Sequence, residues 1–150
     1  MDSKKITEIP NCFYRVSVKA LVLNETRDKF LICREAVGYW NLPGGGLEWG
    51  ASPQEDLPRE IAEEMGLAVE KVADNPCYFV TDQQTINPSI KIANVIYETI
   101  LDNLDFRASD ECLEIKFVDR HDLKDLQVFP DVIKLAEMFK PENHEREPCI

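Results

Sequence analysis

Glu60, Glu63 and Glu64 stand at i, i+3 and i+4 of a segment with helical patterning. At about 100° per residue they share an arc of roughly a third of the helix circumference, while Leu57, Ile61 and Met65 occupy a different arc. Like charges at these spacings repel by about 0.2–0.5 kcal/mol per pair, so the helix gains nothing from them by itself. A divalent cation reverses the sign. Carboxylate-rich oxygen sites suit Mg²⁺ or Mn²⁺, which keep several waters and commonly join a protein carboxylate to a phosphate. An isolated acidic triplet reads as a solvated helix face. Here a glycine turn, Gly44-Gly45-Gly46, leads into the helix, and the acidic arc is turned toward whatever that turn holds.

With their spacing, Gly45, Arg59, Glu60, Ile61, Glu63, Glu64, Gly66 and Leu67 resemble the Nudix box, G-x5-E-x7-R-E-U-x-E-E-x-G-U with U aliphatic. One fixed position departs, since Ala51 stands where a glutamate is expected. The preceding Trp40-Asn41-Leu42-Pro43-Gly44 also resembles the family's approach to the box. The resemblance implies an α/β fold, an α/β/α sandwich with a mixed sheet between helices. It further implies a hydrolase that cleaves the pyrophosphate linkage of a nucleoside diphosphate joined to another moiety. Matched positions make Glu60, Glu63, Glu64 and the Gly44 carbonyl the expected ligands of Mg²⁺ or Mn²⁺, with Glu60 or a loop carboxylate able to act as base. Arg59 would orient the glutamates, and Ala51 leaves it without its usual partner. The family often adds an acidic residue six positions before a late-strand aromatic. With Phe117 as that aromatic the candidate is Glu111, and Glu114 is the runner-up.

The elements that must position these groups follow from patterning. Phe13 to Leu23 is rich in β-formers with both faces apolar, and Lys29 to Arg34 returns as a second strand after the turn Asn24 to Asp28. Ser52 as N-cap, Pro53 at N1 and Glu55 predict a helix start with a capping box. Pro58 predicts either a kink or a later start, because it removes a hydrogen bond and clashes with the carbonyl of Gln54, costing about 3 kcal/mol. Gly66 ends the helix. One strand is expected around Cys77 to Val80, a polar loop from Asp82 to Ser89, a long central strand from Ile90 to Leu101 and another from Cys112 to Val118. Val132, Leu135, Ala136 and Phe139 give a second amphipathic helix. A single domain is expected over 1–140, with a mobile polar tail over 141–150.

The 150 residues carry 28 acidic and 17 basic side chains, a formal charge of −11. Such a balance opposes adherence to nucleic-acid polymers or anionic membranes; the small nucleotide expected as partner is what the resemblance implies. Five scattered cysteines without a C-x-x-C pattern indicate neither a disulfide framework nor a zinc site. Reduced thiols, a cytoplasmic location and no membrane span are expected; monomer and homodimer remain open. Phe13, Tyr14, Tyr39 and Trp40 are candidates for stacking on a base, and Arg34 is a further substrate-binding candidate. Nucleoside triphosphates are the favoured substrates, with ADP-ribose or nucleotide sugars close behind. The alternative is a weakened Nudix-fold module that binds a nucleotide and regulates.

Overall fold

The computed structural model describes residues 13–145. Its elements run β1 (Tyr14–Leu21), β2 (Phe30–Arg34), β3 (Trp40–Asn41), β4 (Gly44–Gly46), α1 (Pro53–Met65), β5 (Val69–Val72), β6 (Tyr78–Gln83), β7 (Lys91–Leu101), β8 (Glu114–Val118) and α2 (Pro130–Met138). Strand β7 is central. It pairs in parallel with β1 on one side and antiparallel with β5 and β6 on the other, while β4 adds to the outer edge of β1. Strands β3, β2 and β8 form a second, antiparallel sheet, which the Leu23 to Phe30 bridge ties to the end of β1.

Two cores flank these sheets. Val18, Ala20, Leu31 and Cys33 pack with Leu57, Ile61 and Met65 of α1, whereas Leu21, Phe30, Ile32 and Ile96 pack with Val132 and Leu135 of α2. In β2 the sorting is strictly alternate, since successive strand residues point to opposite faces. The apolar character of both strand faces is thereby explained: each face has its own helix. The expected α/β/α arrangement is observed.

Helix α1 runs without a break through Pro58, and Ser52 Oγ accepts the Glu55 N–H at 3.3 Å. Leu57 and Ile61 are fully buried on either side of the proline, and the Gln54 amide donates to the Ala73 carbonyl at 2.9 Å. This burial outweighs the one helical bond Pro58 cannot make. Gly66 closes the helix at φ 64°, as expected.

Four expectations need correction. The glycine turn is a strand, with Gly44, Gly45 and Gly46 opposite Lys19, Val18 and Ser17. Strand β5 was not anticipated, because Glu70 and Lys71 are exposed and a register shift between Val69 and Lys71 breaks its alternation. Strand β6 extends through Gln83, taking Asp82 out of the expected loop. Residues Pro141–His144 form a 3-10 turn held to the domain: Tyr78 Oη lies 2.7 Å from His144 Nε2, and Arg27 donates to the His144 carbonyl. Residues 146–150 of the expected tail lie outside the described residues. Cys33, Cys77 and Cys112 are free thiols; Cys12 and Cys149 are likewise outside. Among the described residues no helix is long and apolar enough to cross a membrane.

Candidate active site

The glycines of β4 serve the protein's own atoms. A Cβ on Gly45 would stand 2.8–2.9 Å from the Glu60 carboxyl group, and one on Gly46 would overlap the Arg15 guanidinium. Gly44 sits at φ 130°, where a Cβ would strike the Val18 carbonyl. The absent side chains therefore let Glu60 lie directly on the edge strand. Adjacent strand residues point to opposite faces, so Glu60 and Arg15 lie on opposite sides of β4.

Helix α1 brings the box together. Arg59 donates to Glu60 Oε1 at 3.1 Å, to Glu63 at 3.3 Å and to Asp56 Oδ1 at 3.3 Å. Asp56 is buried, and its Oδ2 accepts the Glu48 backbone N–H at 2.6 Å. Carboxylates elsewhere thus stand in for the glutamate that Ala51 lacks, with Glu48 also 3.9 Å from the Arg59 guanidinium. Asp56 braces the arginine from inside the helix and ties down the approach loop with its second oxygen. Its sequence signal was present, as an acidic residue at i−3 from Arg59, but many helix-start aspartates have the same spacing.

Glu64 is the buried member of the triplet. Burial pushes its carboxyl up to about 8; the Lys19 charge and a hydrogen bond from Gly44 oppose this, while the Glu60 and Glu35 carboxylates add to it. Glu64 shares a cleft with Glu111, Asp110 and Glu35. Ser109 builds that juxtaposition: its Oγ donates to the Glu64 carbonyl at 2.7 Å and accepts the N–H groups of Glu111 and Cys112 at 3.2 Å each. Glu114 is elsewhere, paired with Arg34 at 3.2 Å across the β2–β8 ladder.

A cavity of about 250 Å³ adjoins on the α2 side, walled by Phe129 and lined by Lys19, Asn41, Asp82, Asn94 and Asp131. Glu35, which accepts from Asn41 at 3.0 Å, lines both this cavity and the Glu64 cleft. Asp131 is 3% exposed, and burial pushes its carboxyl up to about 6. Burial also raises Asp82, whose Oδ1 is buried without a hydrogen-bond partner. Acceptors left unpaired in a cavity are costly, and a ligand bringing N–H donors relieves that cost.

The sequence-based substrate candidates fare unevenly. Trp40 is 5% exposed within the α2 core with the Lys116 amine over its ring, and Arg34 is held in its ion pair, so neither lines the cavity. Tyr39 packs on Phe129 at 5.2 Å, outside the lining. Tyr14 borders a shallow neighbouring cleft that shares Asp82 and Pro130 with the cavity. Lys19, Asn41, Asp82 and Asp131 were missed, because polar residues scattered over four elements leave no local pattern.

A NUDIX domain model matches residues 13–139. The chain belongs to the NUDIX family. Nucleoside triphosphatase NudI of Enterobacter sp. (strain 638) is 31% identical over 111 residues, covering 66% of this chain and 79% of that protein. A putative 8-oxo-dGTP diphosphatase of Bacillus subtilis (strain 168) is 42% identical over 53 residues, 35% of this chain and 36% of that one. The crystal structure of MutT protein from Methanosarcina mazei Go1 matches with a TM-score of 0.73 at 25% identity, covering 90% of this chain and 99% of that chain. This Nudix chain is accordingly a pyrophosphohydrolase.

Nudix hydrolases use divalent metals, and the donor types here suit one. Glu60, Glu64 and the Gly44 carbonyl offer only hard oxygens, two of them on carboxylates packed against one strand edge. Among the described residues no three acidic, imidazole or thiol groups converge into a metal cluster. Arg59 instead supplies the positive charge to Glu60 and Glu63.

Proposed function

We propose that this Nudix hydrolase cleaves nucleoside triphosphates between phosphates, releasing a nucleoside monophosphate and pyrophosphate. The observation that carries this reading is the continuity at Glu35 between the Glu64–Glu111 cleft and the Asp131 cavity. One ligand can place a diphosphate against the glutamates and its base in the cavity. The named activities of the NudI and 8-oxo-dGTP relatives support the choice of triphosphates over ADP-ribose and nucleotide sugars.

Glu60, Glu63, Glu64 and the Gly44 carbonyl would hold Mg²⁺ or Mn²⁺. Bound there, such an ion neutralises phosphate oxygens and lowers the pKa of a coordinated water. Glu111 accepts the proton of the attacking water, from a loop fixed to the end of α1 by Ser109. Arg59, braced by Asp56, holds Glu60 and Glu63 in place between turnovers. That brace favours an enzyme over a catalytically weakened regulatory module.

The test is release of nucleoside monophosphate, followed by chromatography, from a panel of nucleoside triphosphates, nucleotide sugars and ADP-ribose with Mg²⁺ or Mn²⁺. Triphosphate turnover is expected, reduced about 10³-fold in Glu64→Gln. Turnover confined to ADP-ribose or a sugar nucleotide overturns the substrate class, and metal-dependent nucleotide binding without turnover overturns the proposed reaction.

A further inference from the structure

The Lys19 side chain is 7% exposed, yet its amine makes one long hydrogen bond, 3.4 Å to the Leu42 carbonyl. Among the described residues no carboxylate lies within ion-pair distance of it, although its charge reaches Glu64, Asp82 and Asp131. An ammonium taken out of water needs strong partners to recover its hydration, and two of its three N–H donors have none. A structural counter-ion would be expected to close onto one of these carboxylates.

Its position gives the reason. Lys19 is directly opposite Gly44 in the β1–β4 ladder, and it lines the cavity that meets the Glu64 cleft at Glu35. The strand alternation also places Arg15 and Ser17 on its face of β1. A ligand with its base near Asp131 and its diphosphate near Glu64 must thread the phosphate attached to the nucleoside past this amine. Among the described residues that line the cavity and the Glu64 cleft, Lys19 alone is cationic.

Resting on the nucleotide reading above, we infer that Lys19 is a substrate-binding residue that donates its free N–H groups to the phosphate bonded directly to the nucleoside. It thereby fixes which phosphorus faces the glutamates. The role is distinct from metal binding, and it applies to a monophosphate without any metal present.

The experiment compares the affinities of deoxyguanosine and deoxyadenosine with those of their 5′-monophosphates by calorimetry in excess EDTA. The wild-type protein should prefer the monophosphate by about 10- to 100-fold, as a charge-assisted hydrogen bond implies. Lys19→Met should bring that ratio near one, with the monophosphate losing more affinity than the nucleoside, and Lys19→Arg should retain part of it. Lys19→Gln is read in the same way where Lys19→Met fails to fold. A preference undiminished in the variants overturns this inference alone. Equal loss of nucleoside and monophosphate makes Lys19 a structural counter-ion and also overturns it. A wild-type protein that binds none of the four compounds overturns the nucleotide reading and this inference together.

Discussion

Around α1, the chemistry-bearing side chains come from one continuous stretch, Gly44 through Glu64, supplemented by the Ser109–Glu111 loop. Opposite α2, the cavity draws Lys19 from β1, Asn41 from β3, Asp82 from β6, Asn94 from β7 and Asp131 from α2. The α1 side also pairs its arginine internally: Arg59 meets Glu60, Glu63 and Asp56 within 3.3 Å. The cavity keeps an unpaired carboxylate oxygen on Asp82 and two unpaired amine donors on Lys19. A region assembled by one helix can pair its arginine locally and still carry an excess of carboxylates. A region assembled by long-range pairing instead keeps its unmet hydrogen bonds for what enters it.

Four substitutions sharpen that contrast. Asp56→Asn strikes the α1 side hardest, since it removes the charge that braces Arg59. Turnover should fall about 10- to 100-fold, with about 1–3 kcal/mol of stability lost by denaturant unfolding. Unchanged turnover would show that Arg59 needs no brace and that its pairing with Asp56 is incidental.

The glycines come next, and they should part ways. Gly44→Ala places a side chain at φ 130° against the Val18 carbonyl, which should cost about 1–3 kcal/mol in stability. Gly45→Ala meets only the end of the Glu60 side chain, which can swing aside. Its melting temperature should stay within about 2 °C of wild type while turnover falls about tenfold. Equal effects on stability and turnover in both variants would mean that the edge strand, and not the Glu60 seat, requires the glycines.

The effect expected in the cavity is on stability and not on turnover, and it depends on pH. The Asp131 carboxyl is raised from 3.8 to about 6 by burial, so folding favours its protonated form. The stability this group contributes is complete below about pH 3.8 and is lost as pH rises through about 6. Asp131→Asn should therefore be the more stable protein at pH 7–8, by up to about 3 kcal/mol, with the gap closing near pH 4. Ligand affinity should move the other way, because an acceptor for the base is lost. Urea unfolding at the two pH values, with nucleoside binding beside it, reads both; a stability gap independent of pH would remove Asp131 as a group strained to serve the cavity.

The sequence by itself determined the α1 half of this protein. Helical periodicity, Ser52 and Gly66 fix the ends and faces of a helix within one stretch, so Glu60, Glu63 and Glu64 were legible on one arc, whereas Glu111 was reached only through a family spacing relative to Phe117. Tertiary structure alone decided the rest. The brace at Asp56, the seat of Glu60 on Gly45 and the burial of Trp40 depend on which element packs over each position. The cavity depends on β7 lying parallel to β1 and on α2 closing over β6, contacts between residues far apart in the chain. Local patterning records the face a residue occupies. It does not record which distant polar group that face will meet, and this is why Lys19 and Asp131 emerged only when the fold brought their strands and helix together.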